Sequence, residues 1–412
     1  MANNKEKKVL NVPNSKDRGN VIRNVPALRF PEFTDEWKKI RLDSFTERVM
    51  RKNKNNLSKL PLTISAQYGL VDQITFFNKV VASTDMSNYY LLKKGEFAYN
   101  KSYSSDYPWG AIKRLDNYEQ GALSSLYICF APKDNVETDF ILQYFESPKW
   151  HKGVSEIAVE GARNHGLLNI SVQDFFHTHH YMPKDKKEQA KIAKLLMFLD
   201  ERIATQNKII EDLKKLKSAI IEMEYGNMAK SISYIGDFIE QTSKRNKDCA
   251  ILNVLSVSNS QGFIQQSEQF ENRIVASDDT SNYKIVARND FAFNPARINV
   301  GSIARLTTFE RGIVSPMYIC FRTKNNLFPE YLDYYFESKR FFAEIQKRLE
   351  GSVRQCLSFE GLCNIPLCIP TVEVQQQIGK RLSTLAKEIK LEIDFLELLQ
   401  RQKRFLLHQM FI

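Results

Sequence analysis

The chain has 412 residues, 43% hydrophobic and 26% charged, which allows two or three soluble domains with sizeable cores. Its 59 Lys and Arg exceed 48 Asp and Glu, and the resulting net charge of +11 points to a polyanionic partner, most often nucleic acid. No apolar run approaches the roughly 20 residues of a membrane helix, the first residues hold no signal-peptide core, and none of the six cysteines forms a C-x-x-C pair, so a cytoplasmic, zinc-free protein is expected.

Residues 1–24 carry six Lys/Arg against two Asp/Glu and read as a flexible basic tail. From about 38 to 183 the pattern alternates short apolar strands, such as "LPLTISAQYGLV" and "GEFAYN", with polar loops. A helical patch follows, "TDFILQYFESPKWHKGV". After Pro183 the period changes to that of a long helix. Ile192, Leu195, Leu199, Ile209, Leu213, Leu216, Ile220 and Met223 fall at heptad a/d spacing, interrupted at Arg202 and Gln206. From about 231 to 370 the strand-rich pattern returns, with the helical patch "PEYLDYYFESKRFFAEIQKRL". After Pro370 a second long helix carries Ile378, Leu382, Leu385, Ile389, Leu396, Leu399 and Leu406 along its seam. The two helices are expected to pair with one another rather than with their own domains.

The halves are copies. Positions 81–100 and 275–294 share ten identities in twenty, "VASTDMSNYYLLKKGEFAYN" against "VASDDTSNYKIVARNDFAFN". "GAIKRL", "LYICF" and "YFES" are answered by "GSIARL", "MYICF" and "YFES". A period near 190 residues is too long for a solenoid and implies two homologous domains. Cys129 and Cys320, in the matched "YICF", read as small apolar fillers of a buried strand. Asp85 and Asp279, in the repeated "VAS-x-D-x-SNY", read as turn or cap residues.

Duplication also separates scaffold from specificity. Residues alike in both copies belong to the shared scaffold. Residues that differ inside matched loops are candidates for reading different sequences. One such loop follows Asn100 and Asn294, "KSYSSDYPW" against "PARINV", with Lys101, Tyr103, Arg297 and Asn299. A second follows "EG", "ARNHG" against "SVRQC", with Arg163, Asn164, His165, Arg354 and Gln355. Arg suits guanine edges and Asn adenine edges. A third candidate pair is "SAQYG" at 65–69 and "SVSNSQG" at 256–262. Lys52, Lys54, Lys244, Arg245 and Lys247 are expected to add a salt-dependent term blind to sequence.

Catalytic motifs are missing. There is no G-x-x-x-x-G-K-[ST] loop and no G-x-G-x-x-G fingerprint. "FNPAR" at 293–297 lacks the second proline and the aromatic of the motif that holds a flipped adenine. "HTHH" at 177–180 has no counterpart in the second copy, where "PLCIP" stands, and is not read as a metal site.

The stretch "ALRFPEFTDEWKKIRLDSF" at 27–45, an α+β domain, and a P-x(4)-E-Q-x-x-I helix start, all repeated, resemble the specificity subunit of type I restriction–modification systems. Pro183, Glu188, Gln189 and Ile192 carry the helix start once. Pro370, Gln375 and Ile378 carry it again, with Val374 in place of the Glu. The resemblance implies an α+β fold: two homologous target recognition domains separated by a long antiparallel two-helix coiled coil, with pseudo-two-fold symmetry. Its expected boundaries are 25–183 and 227–370 for the recognition domains, and 184–226 and 371–412 for the helices. It implies a non-catalytic subunit that reads a bipartite asymmetric DNA target. Two methyltransferase subunits and restriction/translocase subunits would be its partners. S-adenosylmethionine, ATP and Mg2+ would bind in those partners and not in this chain. The competing readings are a two-lobed coiled-coil scaffold that binds only proteins, and a nucleic-acid-modifying enzyme with an unrecognised site.

Overall fold

The computed structural model describes residues 24–158, 166–226, 233–259, 261–269, 279–351 and 355–412. The basic tail expected at 1–24 therefore lies almost wholly outside the described residues. The chain divides into two compact units, one formed by residues up to Thr205 with Leu396–Ile412, the other by Gln206–Phe395.

The strands of the first unit are β1 (Lys38–Arg41), β2 (Thr46–Arg48), β3 (Pro61–Ser65), β4 (Gly69–Asp72), β5 (Tyr90–Lys93), β6 (Phe97–Asn100), β7 (Ala111–Arg114), β8 (Gln120–Leu123), β9 (Ile128–Pro132) and β10 (His179–Met182). One sheet has the order β2-β9-β6-β7, a second the order β4-β3-β8-β5, and β1 pairs with β10. Strand alternation assigns the two faces of β6. Phe97 and Tyr99 enter an aromatic core with the helix Thr138–Glu146, where Phe97 stacks on Phe130 at 5.4 Å. Ala98, between them, turns the other way and meets Cys129 and Leu123 in a second core, between the two sheets. The small residues there let the sheets approach, and Cys129 is 1% exposed, as a small filler should be.

The second unit has β11 (Ile239–Thr242), β12 (Val254–Ser258), β13 (Gly262–Gln265), β14 (Lys284–Ala287), β15 (Phe291–Phe293), β16 (Ile303–Arg305), β17 (Arg311–Val314) and β18 (Ile319–Thr323). Its sheets, β11-β18-β15-β16 and β13-β12-β17-β14, repeat the first unit strand for strand. Phe291 stacks on Phe321 at 5.1 Å, and Ala292 and Cys320 take the places of Ala98 and Cys129. The match to β1 and β10 shrinks, among the described residues, to one bridge between Tyr234 and Pro366. Pro366 has no N–H to extend a ladder.

Each expected helical patch is broken at its serine, the first into Thr138–Glu146 and a 3-10 turn, Pro148–Trp150, that runs on into His151–Ile157, the second into Pro329–Tyr335 and Lys339–Gln346. Ser147 and Ser338, the last residues of the repeated "YFES", take extended backbone angles. The Ser147 Oγ accepts from the N–H of Lys149 and the Ser338 Oγ from that of Phe341, so each serine ends one helix and caps the next.

Two long helices, Lys186–Gly226 and Val372–Gln409, run as the heptads predict. In the first unit Ile192, Leu196 and Leu199 share a core with Leu406, Leu407 and Met410. In the second, Ile221 and Tyr225 share one with Ile378 and Leu382. Start meets end in both units, so the helices pair antiparallel. The expected seam needs one correction. Ile209, Leu216 and Met223 are 40%, 50% and 60% exposed, while Gln206 and Ile210 are buried. Gln206 does not interrupt the seam. Its Nε2 donates to the Glu392 carbonyl at 3.1 Å, a polar contact that satisfies the inward-facing amide, with 206 and 210 turned inward and 209 and 216 outward. Leu195, Leu213, Ile220, Leu385 and Leu396 are half-buried, whereas Ile389 and Leu399 are buried.

Candidate nucleic-acid interface

Strand direction gathers the candidate loops. β2 and β6 both run antiparallel to β9, so the segments after them leave one end of their sheet, and β9 begins at that end. β8 runs toward it, and β3, parallel to β8, aims its hairpin tip at 65–69 the same way. β5 is antiparallel to β8 with Tyr90 opposite Leu123, so it also starts there. One end of the unit thus carries the segment after β2, the hairpin tip, the β6–β7 loop and the β8–β9 turn. The second unit repeats the pairings and therefore the arrangement.

The first two candidate loops meet in each unit. The N–H of Tyr103 donates to the Gly166 carbonyl at 3.0 Å, and that of Leu168 to the Lys101 carbonyl at 2.9 Å. In the second unit Leu357 donates to the Pro295 carbonyl at 3.1 Å, joining the same two segments. Gly110 closes the β6–β7 loop at φ +76, and a Cβ on it would lie 2.1 Å from the Asn100 carbonyl oxygen. Gly301, its counterpart, has φ +91.

The individual candidates differ in what they offer. Arg297 is exposed, and its guanidinium has no hydrogen-bond partner among the described residues. Asn299 is half-buried in the single turn Ile298–Val300, and Gln355 is exposed. Tyr103 presents its ring to solvent at 45% exposure. Lys101 is half-buried and spends its ammonium on the Ile170 carbonyl at 3.3 Å, bracing the two loops. Arg163, Asn164, His165 and Arg354 lie outside the described residues.

The repeated "VAS-x-D-x-SNY" is a turn. Asp85 accepts the N–H of Ser87 at 2.9 Å and Asp279 that of Ser281 at 2.8 Å. Hydrogen bonds from those serines, backbone and hydroxyl, hold both carboxyls below their ordinary range. The tyrosines that follow pass their carbonyls to a neighbouring basic loop: Asn53 N–H reaches Tyr89 O, and Asn246 N–H reaches Tyr283 O, each at 3.0 Å.

Two exposed side chains at this end escaped the sequence reading, and a third stands in a candidate loop. Leu126 and Met317 stand in the matched β8–β9 and β17–β18 turns, 70% and 61% exposed, so both copies leave an apolar group in solvent at one place. Asn294 Nδ2 lies 3.8 Å from Met317 Sδ, which sets that group beside a variable loop. Tyr68, at the hairpin tip, is 68% exposed. An apolar residue in otherwise polar "SSLY" and "SPMY" was the available signal. Elsewhere, His177 and His179 are exposed while His180 is buried between Tyr144 and Thr178. Among the described residues no cluster of three metal-ligating side chains occurs, and no helix is long and apolar enough to cross a membrane.

Residues 230–401 match the family model described as the type I restriction modification DNA specificity domain. The fold is similar to that of a specificity subunit from M. genitalium, with a TM-score of 0.55, 15% identity, and coverage of 94% of this chain and 99% of that one. A chain from a structural study of complex assembly and conformational transition in a type I restriction–modification system gives a TM-score of 0.54, 12% identity, and coverage of 91% and 97%. Comparison with curated proteins gives no match.

Proposed function

We propose that this chain is a non-catalytic DNA specificity subunit of the type I restriction–modification kind and reads a bipartite, asymmetric DNA target, one part with each unit. The observation that carries the reading is the pairing of one scaffold with two sets of loops. The strand order, the aromatic stack and the Asp-capped turn are the same in both units. The loops that leave the shared end differ, "KSYSSDYPW" against "PARINV". A diverged duplicate can read two different half-sites, where an identical dimer would read a palindrome.

In this reading the recognition domains span 25–183 and 227–370, and the helical segments 184–226 and 371–412 receive two modification subunits. Those subunits, with S-adenosylmethionine, would methylate adenine at N6. Restriction and translocase subunits would supply ATP- and Mg2+-dependent cleavage. The solved assembly of a type I restriction–modification system, whose chain shares this fold, supports a complex of this kind. Mapping methyladenine across the source genome with and without the chain tests the proposal. A bipartite methylated motif that vanishes with the chain is expected. Its persistence would overturn the reading.

A further inference from the structure

We infer that the loops at 51–54 and 244–247 are a duplicated phosphate anchor, through which each unit grips the DNA backbone whatever bases its variable loops read; the inference rests on the DNA-reading function proposed above. The two loops read "RKNK" and "KRNK". Their shared Asn53 and Asn246 are fully buried. Asn53 donates to the Ser58 carbonyl at 2.9 Å and accepts the Ser58 N–H at 2.8 Å. Asn246 does the same with Ile251, at 2.9 and 3.1 Å. A side-chain amide that answers both backbone groups of one residue closes the segment into a fixed loop. The cations flanking it, Lys52 and Lys54 or Lys244, Arg245 and Lys247, are all exposed.

Position supports the assignment. Lys52 bridges to Tyr90, and Arg245 to Lys284, at the start of β5 and β14. That is the end where the variable loops emerge. In the second unit a chain of contacts makes the link. The Lys284 ammonium donates to the Tyr318 carbonyl at 2.6 Å, and the preceding Met317 touches Asn294, where the variable loop begins. The second loop also walls an open cavity of about 710 Å³ with Lys244, Arg245, Lys247 and Arg311, against a single carboxylate, Asp248. In the first loop Arg51 is committed to Glu96 at 2.9 Å, and the Lys52 ammonium donates once to the Asn88 carbonyl at 2.8 Å, which leaves Lys52 two N–H groups and Lys54 its whole ammonium for a phosphate.

A feature alike in both copies cannot distinguish two half-sites, and lysine recognises a phosphate as a point charge. A loop locked before binding has little entropy left to lose when it meets DNA. The repeated "SNY" then has a purpose: its tyrosine carbonyl stitches the anchor to the scaffold.

The test is the salt dependence of binding of the full-length chain to mixed-sequence duplexes, followed by fluorescence anisotropy. Lys244→Gln/Lys247→Gln and Lys52→Gln/Lys54→Gln change only exposed side chains, and unaltered thermal midpoints verify their folding. Each double variant is expected to reduce the slope of log K against log salt by about 1.8, at about 0.9 per phosphate contact, equally on every duplex. An unchanged slope, with the unaltered chain binding, would overturn the anchor and leave the DNA-reading function standing. A loss confined to one sequence would also overturn it, since the loop would then read bases. An unaltered chain with no salt-dependent affinity for DNA would overturn the function and the anchor together.

Discussion

The side-chain oxygen of Gln189 accepts the backbone N–H of Glu137 at 2.8 Å, tying the start of the first long helix to the N-terminus of a helix in its own unit. Its Nε2 donates to the Pro183 carbonyl at 2.9 Å. Gln375 repeats the contact with Phe328 at 2.8 Å and adds donations to Pro370 and Asn326. Both glutamines are buried, so removing either strands backbone groups away from water. Gln375→Ala is expected to cost about 2–4 kcal/mol in urea unfolding. A loss under about 0.5 kcal/mol would mean that the tie is dispensable.

Acid should weaken the first unit through His180. The Thr178 hydroxyl donates to the Phe175 carbonyl at 2.7 Å, so it accepts from His180 Nε2, and Nδ1 accepts from the Tyr144 hydroxyl at 2.8 Å. The ring is neutral, and burial holds it down at about 3, against an ordinary 6.5. The unfolded chain therefore takes its proton first as pH falls. This contribution is complete above about pH 6.5 and is lost toward pH 3, by at most about 1.4 kcal/mol per unit. His180→Leu, which copies Leu367 of the second unit, should flatten that part of the stability–pH curve. An unaltered slope in the variant would count against the assignment.

Arg297 is the described variable-loop cation with its guanidinium free for a base edge. Arg297→Ala should weaken binding by about 1–3 kcal/mol, or about 5- to 150-fold, and only through one half-site. Duplexes with each half-site scrambled in turn will show this. Equal losses on both would assign Arg297 to the backbone instead.

Gly110 holds the first variable loop at a positive φ with no room for a side chain. Gly110→Ala is expected to cost more than about 1 kcal/mol of stability and to impair the half-site read by the first unit. Gly301→Ala meets nothing closer than 3.8 Å, the Asn259 carbonyl, and should cost less. Thermal unfolding of the two variants compares them. Equal costs would show that φ, not the Asn100 contact, sets the penalty.

Much of this protein was determined by local sequence. The duplication, the alternating strands, the two long helices and the Asp-capped turns all rest on periodicity or on bonds between residues two to four apart, which a chain carries wherever it folds. The Cys129 and Cys320 fillers were legible for the same reason. Tertiary structure decided the rest. It selected Gln206 and Ile210 over Ile209 for the helix seam, because a buried amide there finds Glu392 from 186 residues away. It brought the variable loops to one end through strand directions that no single segment encodes. It gave the Lys101 ammonium the Ile170 carbonyl, 69 residues away, and made Asn53 and Asn246 the locks of two basic loops. Each of these outcomes depends on satisfying buried polar groups and filling space between distant segments, a condition that exists only once the chain has closed on itself.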